Sequence, residues 1–259
     1  MPSPTVIAID WSGARGAGPH PGIWFTSVCD GQIDVNRGFW GREEIVDHLL
    51  SLEGPLTVGL DFSFGFPAWV GECHGAQSGT ELWAITAKDG ERWLSECPKP
   101  FWGPKGTRRP VDLEVFRRCE RTLGAKSTFQ IANPGAVGTG AIRGMPLLAQ
   151  LRAAGMSIWP FDAAGDRTVI EIYPRACLER PCVVGDPTQR DSYAQWLATR
   201  WPALTSPIVE TTRHSADAFD AVVAAHAMWE HRDRLATLAA APEPIKQLEG
   251  AIWAPNIAP

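Results

Sequence analysis

The segment Val6–Gly13 has the sequence VIAIDWSG, and the segment Val58–Gly65, with the sequence VGLDFSFG, repeats its pattern. In each segment an apolar run ends at an aspartate, Asp10 or Asp61, and an aromatic residue and a serine follow. Aspartate is depleted in strands because a half-buried pleat gives a charged carboxylate no compensation, so both positions need an explanation. If the two segments are neighbouring parallel strands, Asp10 and Asp61 lie side by side at one end of the sheet.

The periodicity of the chain around these segments predicts both strands and helices. Asp30-Gly31 marks the tight turn of an antiparallel meander, whereas the stretch after Gly65 carries weaker signals. Strands are predicted at residues 5–10, 22–29, 32–39, 56–64 and 168–174, helices at 41–52, 112–123, 145–154, 189–200 and 215–239, and an extended tail at 249–255.

This order of elements predicts an α/β fold of the RNase H-like type. Its mixed sheet would combine an antiparallel three-strand meander with two parallel strands, and helices would flank it. We expect a single domain over residues 1–259, with a large insertion at about 65–162 between strands four and five. A chain of 259 residues, 44% of them hydrophobic, is long enough to bury such a core.

The composition excludes several other classes of protein. The spread of Gly and Pro along the chain argues against collagen, a coiled coil and wholesale disorder. No apolar run approaches the ~18 residues of a membrane span, and the N-terminal VIAI stretch is too short for a secretion signal. The six cysteines form no Cys-x-x-Cys pair, which is typical of reduced thiols. We therefore expect a cytoplasmic protein with no membrane partner.

Three further acids belong to predicted elements near these strands. Glu171 has apolar neighbours in the fifth strand, and Asp217 and Asp220 stand three residues apart on the last helix, where they share a face. An alternative role for Asp217 is structural: it follows the predicted N-cap Ser215, so its negative charge in the first turn would stabilise the helix dipole. Asp220 lies beside small apolar residues, which implies a carboxylate held near the core. Four or five carboxylates at one sheet end would repel one another unless a divalent cation neutralised them, and oxygen ligands favour Mg²⁺ or Mn²⁺.

Several segments, taken together, resemble the family called domain of unknown function 429, described as predicted nucleases of RNase H-like fold. They are AIDWSG at 8–13, GLDFS at 59–63, EIYP at 171–174, DAFDA at 217–221 and EGAIW at 249–253, within a match from Val6 to Pro255. The Asp-x-x-Asp of the last helix is also similar to that of Holliday-junction resolvases of the same fold superfamily.

The second resemblance implies a set of metal ligands. These would be Asp10, Asp61, Asp217 and Asp220, with Asp61 standing where those enzymes carry a glutamate. Glu171 is then a ligand, an outer partner of the ligands or a general base.

The net charge of −5 hides an uneven distribution. Between Lys99 and Arg152 there are ten basic and three acidic residues, a net charge of +7, so the rest of the chain carries −12. This division fits a basic, phosphate-facing insert beside an acidic catalytic body, and it also fits a solvated surface with extra arginines. The candidate substrate contacts are Lys126, Arg108, Arg109, Arg143 and His214. His214 also fits an ordinary loop residue without a role in binding.

The sequence therefore predicts a nuclease that hydrolyses phosphodiester bonds of nucleic acid by a two-metal mechanism. Its catalytic carboxylates would be Asp10, Asp61, Glu171, Asp217 and Asp220. Two other classes of function stay open: a nucleic-acid- or protein-binding module without turnover, and a phosphotransferase of the actin-like kinase group, which normally contains the fold twice. Convergence of the aspartates at one site would favour the nuclease.

Overall fold

The computed structural model describes residues 4–14, 22–38, 41–132 and 136–257. Within these residues one mixed sheet contains β1 (Thr5–Asp10), β2 (Ile23–Cys29), β3 (Gln32–Gly38), β4 (Leu56–Leu60), β5 (Ser157–Ile158), β6 (Arg167–Ile172) and β7 (Ile252–Trp253). The strands β1, β2 and β3 form an antiparallel meander, and the other strands run parallel to β1. The order across the sheet is β3-β2-β1-β4-β6-β5, with β7 also paired to β6. The predicted α/β fold, a meander joined to central parallel strands, is confirmed.

Helices cover both faces of the sheet. They are α1 (Arg42–Ser51), α2 (Ala68–His74), α3 (Gly79–Glu96), α4 (Arg118–Leu123), α5 (Gly138–Ala153), α6 (Pro187–Arg200), α7 (Ser206–His214), α8 (Ala216–Glu230), α9 (Arg232–Leu235) and α10 (Pro244–Glu249). Because successive residues of a strand point to opposite faces, β1 contributes to two halves of the core. Ile7 and Ile9 pack with α1, α3 and α5, whereas Val6 and Ala8 pack with α6 and α8.

Several predicted bounds were wrong, and packing explains why. The strand predicted at 56–64 ends at Leu60, and the rings that follow pack in two groups: Phe62 against Trp11 and Phe64, and Phe66 against Trp93 and Phe129. The helix predicted at 112–123 begins only at Arg118, and the one predicted at 145–154 begins at Gly138. The helix predicted at 215–239 ends at Glu230, after which a short turn carries Leu235 into the same core.

The sequence pattern also missed whole elements. The longest of them is α3, whose N-cap Ser78 accepts a hydrogen bond from the N–H of Glu81 and whose buried stripe contains Leu82, Trp83 and Trp93. In the described part of the chain, no helix is both long enough and apolar enough to cross a membrane. All six cysteines are free thiols, as expected.

Candidate active site

Asp10 and Asp61 lie at the carboxyl ends of two neighbouring parallel strands. Ile9 of β1 is in register with Leu60 of β4, and the N–H of Asp61 donates to the carbonyl of Ile9 (3.1 Å). The aspartate is the next residue of each strand, so both carboxylates lie on the sheet face that α8 covers. Burial raises the pKa of both carboxyl groups well above the ordinary value. Asp61 raises the pKa of Asp10 further, by charge repulsion.

The first turns of α8 bring Asp217 and Asp220 to the same edge of the sheet. The hydroxyl of Ser215 caps this helix by accepting a hydrogen bond from the N–H of Ala218 (3.1 Å), as predicted. Burial raises the pKa of Asp217, and it raises that of Asp220 to about 7, to which the charge of Asp217 contributes. Both residues also raise the pKa of Asp10. The four predicted aspartates therefore act on one another electrostatically at one edge of the sheet.

The loop after Asp10 is fixed from the side of α5. Gly13 lies against the first turn of that helix, where an added Cβ would come within 2.5 Å of the backbone nitrogen of Gly140. Arg143 donates to the carbonyl of Gly13 (2.5 Å) and, through two nitrogens, to the carboxylate of Glu91 (2.6 and 3.0 Å). The sequence predicted that Arg143 binds substrate. These contacts engage its guanidinium, so we treat Arg143 as a residue that positions the loop.

Glu171 lies on the other face of the sheet. It is in register with Leu60 rather than with Asp61, so its side chain belongs to the face that packs with α1, α3 and α5. Both carboxylate oxygens accept hydrogen bonds from Arg117, and Oε2 also accepts one from the N–H of Phe64 (2.9 Å). Of the three roles that the sequence leaves open, these contacts favour an outer partner, which positions the chain just after Asp61.

Arg117 is the centre of a buried polar network that joins distant parts of the chain. Its side chain has no exposed surface, and it donates to the carboxylate of Glu120 (2.8 Å) and to the carbonyl of Glu249 (3.0 Å). The carboxylate of Glu249 in turn accepts hydrogen bonds from the N–H groups of Ala68 (3.0 Å) and Arg118 (2.7 Å). Buried charges need such partners, and here they tie the segment around α4 to β6 and to the C-terminal tail.

Half of the cations between Lys99 and Arg152 form ion pairs with described residues of the protein itself. Five of the ten are paired: Lys99 with Asp112, Arg117 with Glu120 and Glu171, Arg121 with Glu114, Arg143 with Glu91, and Arg152 with Asp162. The exposed pairs among them, those of Lys99, Arg121 and Arg152, contribute little stability, but they occupy the cations. The segment therefore offers fewer cations to a phosphate backbone than its net charge of +7 indicates.

Lys126 is a predicted basic contact that shares a cavity with one of the aspartates. It is exposed and lines a small cavity together with Asp61 and Tyr173, and no described residue forms an ion pair with it. Arg108 and Arg109 lie in the exposed loop that precedes α4, where the guanidinium of Arg109 is 4.5 Å from the ring centroid of Phe116. No described contact joins these two arginines to the aspartates.

His214 lies at the C-terminal end of α7 and is exposed. Its Nε2 is 2.7 Å from a carboxylate oxygen of Glu210, one turn earlier on the same helix. His214 lines a cleft with Asp217, so the structure places it beside one of the four aspartates.

Arg175 was not predicted as a site residue, yet its charge acts on two of the carboxylates. This exposed residue lies in a 3-10 turn, Pro174–Cys177, immediately after β6. Its charge lowers the pKa of Asp61 and of Asp220, against the larger effect of burial. A signal was available, because the residue follows a predicted strand whose end lies at the same edge of the sheet.

Arg190 was also missed, and the sequence carried no signal for it. This side chain of α6 is 4% exposed and donates to the carbonyl of Thr212 (3.0 Å), 22 residues along the chain. It also donates to the carbonyl of Arg213 (2.6 Å). Arg190 thus holds the end of α7 just before α8, and its charge lowers the pKa of Asp217 and of Asp220.

The donor set at this edge has the chemistry of a site for a hard divalent cation. It consists of four carboxylates, and such oxygen ligands are those that Mg²⁺ and Mn²⁺ take. Among the described residues, however, no three His, Cys, Asp or Glu side chains stand in an arrangement that could hold a metal ion. A cation would therefore have to draw the carboxylates together, and all four are at least partly exposed to solvent.

Comparison of the chain with models of known protein families finds no match. Neither curated proteins nor solved structures give a match. The functional argument consequently depends on the geometry of the site and on the chemistry of its side chains.

Proposed function

We propose that this protein is a metal-dependent nuclease of RNase H-like architecture that hydrolyses phosphodiester bonds in nucleic acid. One observation carries the proposal: Asp10 and Asp61 end adjacent parallel strands, and Asp217 and Asp220 begin the helix that packs over them. Such a set of carboxylates is electrostatically costly without a cation, because burial raises the pKa of Asp10 and the charges of Asp61, Asp217 and Asp220 raise it further. Costly charge arrangements of this kind are characteristic of functional sites.

The residues of the chain have separate tasks in this proposal. Asp10, Asp61, Asp217 and Asp220 would hold Mg²⁺ or Mn²⁺. The chemistry that a bound pair of these ions would supply is activation of water and stabilisation of the leaving oxygen of a phosphodiester.

Around this centre, other side chains orient the substrate and the ligands. Arg175 and Lys126, both exposed beside Asp61, contact the phosphate. Glu171 and Arg117 hold the backbone of Phe64 and thereby the chain that leaves Asp61.

A second candidate function is a nucleic-acid-binding module without turnover. The observation that favours it is the absence, in the described residues, of three side chains already in metal-binding geometry. The two candidates differ in one measurable property, because only the nuclease converts its substrate.

The deciding experiment is a panel of single-stranded, duplex, DNA–RNA hybrid and branched nucleic acids, each with Mg²⁺ and with Mn²⁺. We expect the parent protein to cleave at least one substrate, and Asp10→Asn to lose that cleavage while it remains folded. Asp47→Asn is the matched control, because Asp47 is an exposed residue of α1 on the other face of the sheet. If no substrate is cleaved faster by the parent than by Asp10→Asn, the nuclease proposal is wrong and the binding module remains.

A further inference from the structure

A row of four side chains runs across the sheet from the aspartates to the outer strand. Asp61 and Asp10 end β4 and β1, Asp10 is directly opposite Trp24 of β2, and Trp24 is directly opposite Arg37 of β3. Residues that face one another across strands share a face of the sheet. The indole of Trp24 and the guanidinium of Arg37 therefore lie on the same face as the carboxylates.

The outer half of this row, Trp24 and Arg37, forms one wall of a cleft of about 570 Å³. The opposite wall comes from the end of α7 and the start of α8, with Glu210, His214 and Asp217. The volume lies within the roughly 300–1,000 Å³ that is typical of small-ligand sites. Because Asp217 lines the cleft and Asp10 is the neighbour of Trp24, the cleft opens directly beside the carboxylates.

The charges of the cleft argue against a site for phosphate alone. The lining contains two acidic residues, Glu210 and Asp217, and two basic ones, Arg37 and His214. It therefore has no excess of positive charge. Its distinctive group is the half-buried indole of Trp24. The guanidinium of Arg37 lies 5.9 Å from the Trp24 ring centroid, near the limit of a cation–π contact. A neutral, flat and aromatic ligand fits such a lining better than an anion does.

We infer that this cleft binds an unpaired nucleobase, which stacks on Trp24 while its backbone enters the carboxylate site. The inference rests on the proposed function and specifies its substrate as single-stranded nucleic acid or a single-stranded segment. Bases within a duplex are stacked and paired, so only an unpaired base presents its face to an aromatic side chain. Stacking of this kind tolerates any of the bases, so we expect little sequence preference.

The test is direct binding, measured by fluorescence anisotropy with a labelled single-stranded oligonucleotide and with the matching duplex. The titrations contain EDTA, so that binding is measured without turnover. Trp24→Ala removes the stacking surface and Trp24→Phe keeps an aromatic ring. Trp229→Ala is the matched control, because Trp229 also lies under an arginine, Arg232 at 4.5 Å, but belongs to the far end of α8.

We expect Trp24→Ala to weaken binding of the single strand about five-fold or more, and Trp24→Phe to stay within about two-fold of the parent. Duplex binding and the Trp229→Ala variant should be unchanged. The inference is overturned if the parent does not prefer the single strand, if Trp24→Ala binds it like the parent, or if Trp229→Ala loses as much. Binding is measured without turnover, so the two experiments test the two proposals separately. If only the cleavage panel fails, the base-binding cleft is still supported. If only the binding test fails, the nuclease proposal is still supported.

Discussion

Asp61 and Glu171 lie on adjacent parallel strands only one register step apart, yet their carboxylates serve opposite faces of the sheet. Asp61 shares its face with Asp220 of α8, and Glu171 is enclosed by Arg117 on the other. The charge of Glu171 nevertheless raises the pKa of Asp61. A single step along a strand thus separates a carboxylate on the α8 face of the sheet from one that is engaged in an internal ion pair.

The aspartate site should make stability depend on pH. The pKa of Asp220 is about 7 in the folded protein against an ordinary value of 3.8, so the folded state binds this proton more tightly than the unfolded state does. The stabilisation of the folded state by this bound proton is fully present below about pH 4 and is lost as the pH rises through 7. Without divalent cations, Asp220→Asn should therefore melt near the parent's temperature at pH 4 and several degrees above it at pH 8.

The quantity to measure is the difference between the two proteins, because other groups titrate in the same range. Burial lowers the pKa of His226, which adds stability as the pH rises. The substitution at Asp220 leaves that contribution in place, so it cancels in the difference. If the difference in melting temperature between the two proteins does not grow from pH 4 to pH 8, the charged form of Asp220 does not destabilise the fold.

Divalent cations should stabilise the folded protein. A ligand that binds only the native state adds RT ln(1 + [L]/Kd) to the free energy of unfolding, about 2.7 kcal/mol at a concentration of 100 Kd. Thermal melts at pH 8 with millimolar Mn²⁺ should show a higher midpoint for the parent and for Asp47→Asn, and a smaller increase for Asp10→Asn and Asp61→Asn. Equal increases in all four proteins would place the bound cation elsewhere.

The fold should be sensitive to the loss of any one partner of the Arg117 network. Removal of one partner of a buried ion pair leaves an uncompensated charge, which typically costs about 3–5 kcal/mol. Arg117→Met leaves the carboxylates of Glu120 and Glu171 without this cation, so we expect a loss of that size in denaturant unfolding. The double variant Arg117→Met, Glu171→Met should lose less than the sum of the two single variants. Additive losses would mean that the two side chains are not coupled in solution.

Cations near the aspartates should matter more for nucleic-acid binding than those in the exposed loop. Lys126 lines a cavity with Asp61, and Arg175 acts on Asp61 and Asp220, whereas no described contact joins Arg108 and Arg109 to the site.

Salt-dependent binding measures this difference, since each lost phosphate contact reduces the slope of log affinity against log salt by about 1. We expect that reduction for Lys126→Glu and for Arg175→Glu. The double reversal Arg108→Glu, Arg109→Glu is the comparison, and a larger effect of this pair would return the phosphate contacts to the exposed loop, as the sequence predicted.

Local features of this protein could be predicted because they depend on neighbouring residues. Apolar alternation and the Asp30-Gly31 turn indicated the meander, and Ser215 indicated the start of α8. The aspartates were found for the same reason, since a carboxylate that ends an apolar strand is anomalous in its immediate context. Parallel pairing of β1 with β4 then followed from the order of elements, and it brought Asp10 beside Asp61.

Only the tertiary structure decided which charged residues remain available for function. Arg117 and Glu171 are 54 residues apart, and Arg143 and Glu91 are 52 apart, so no local pattern shows that these charges neutralise each other. The opposition of Trp24 to Asp10 likewise depends on the register of two strands and on the helices packed above them. Preferences of neighbouring residues determine where strands and helices form. The free energy of each charge depends instead on burial and on long-range pairing. Burial and pairing exist only once the sheet and its helices have assembled.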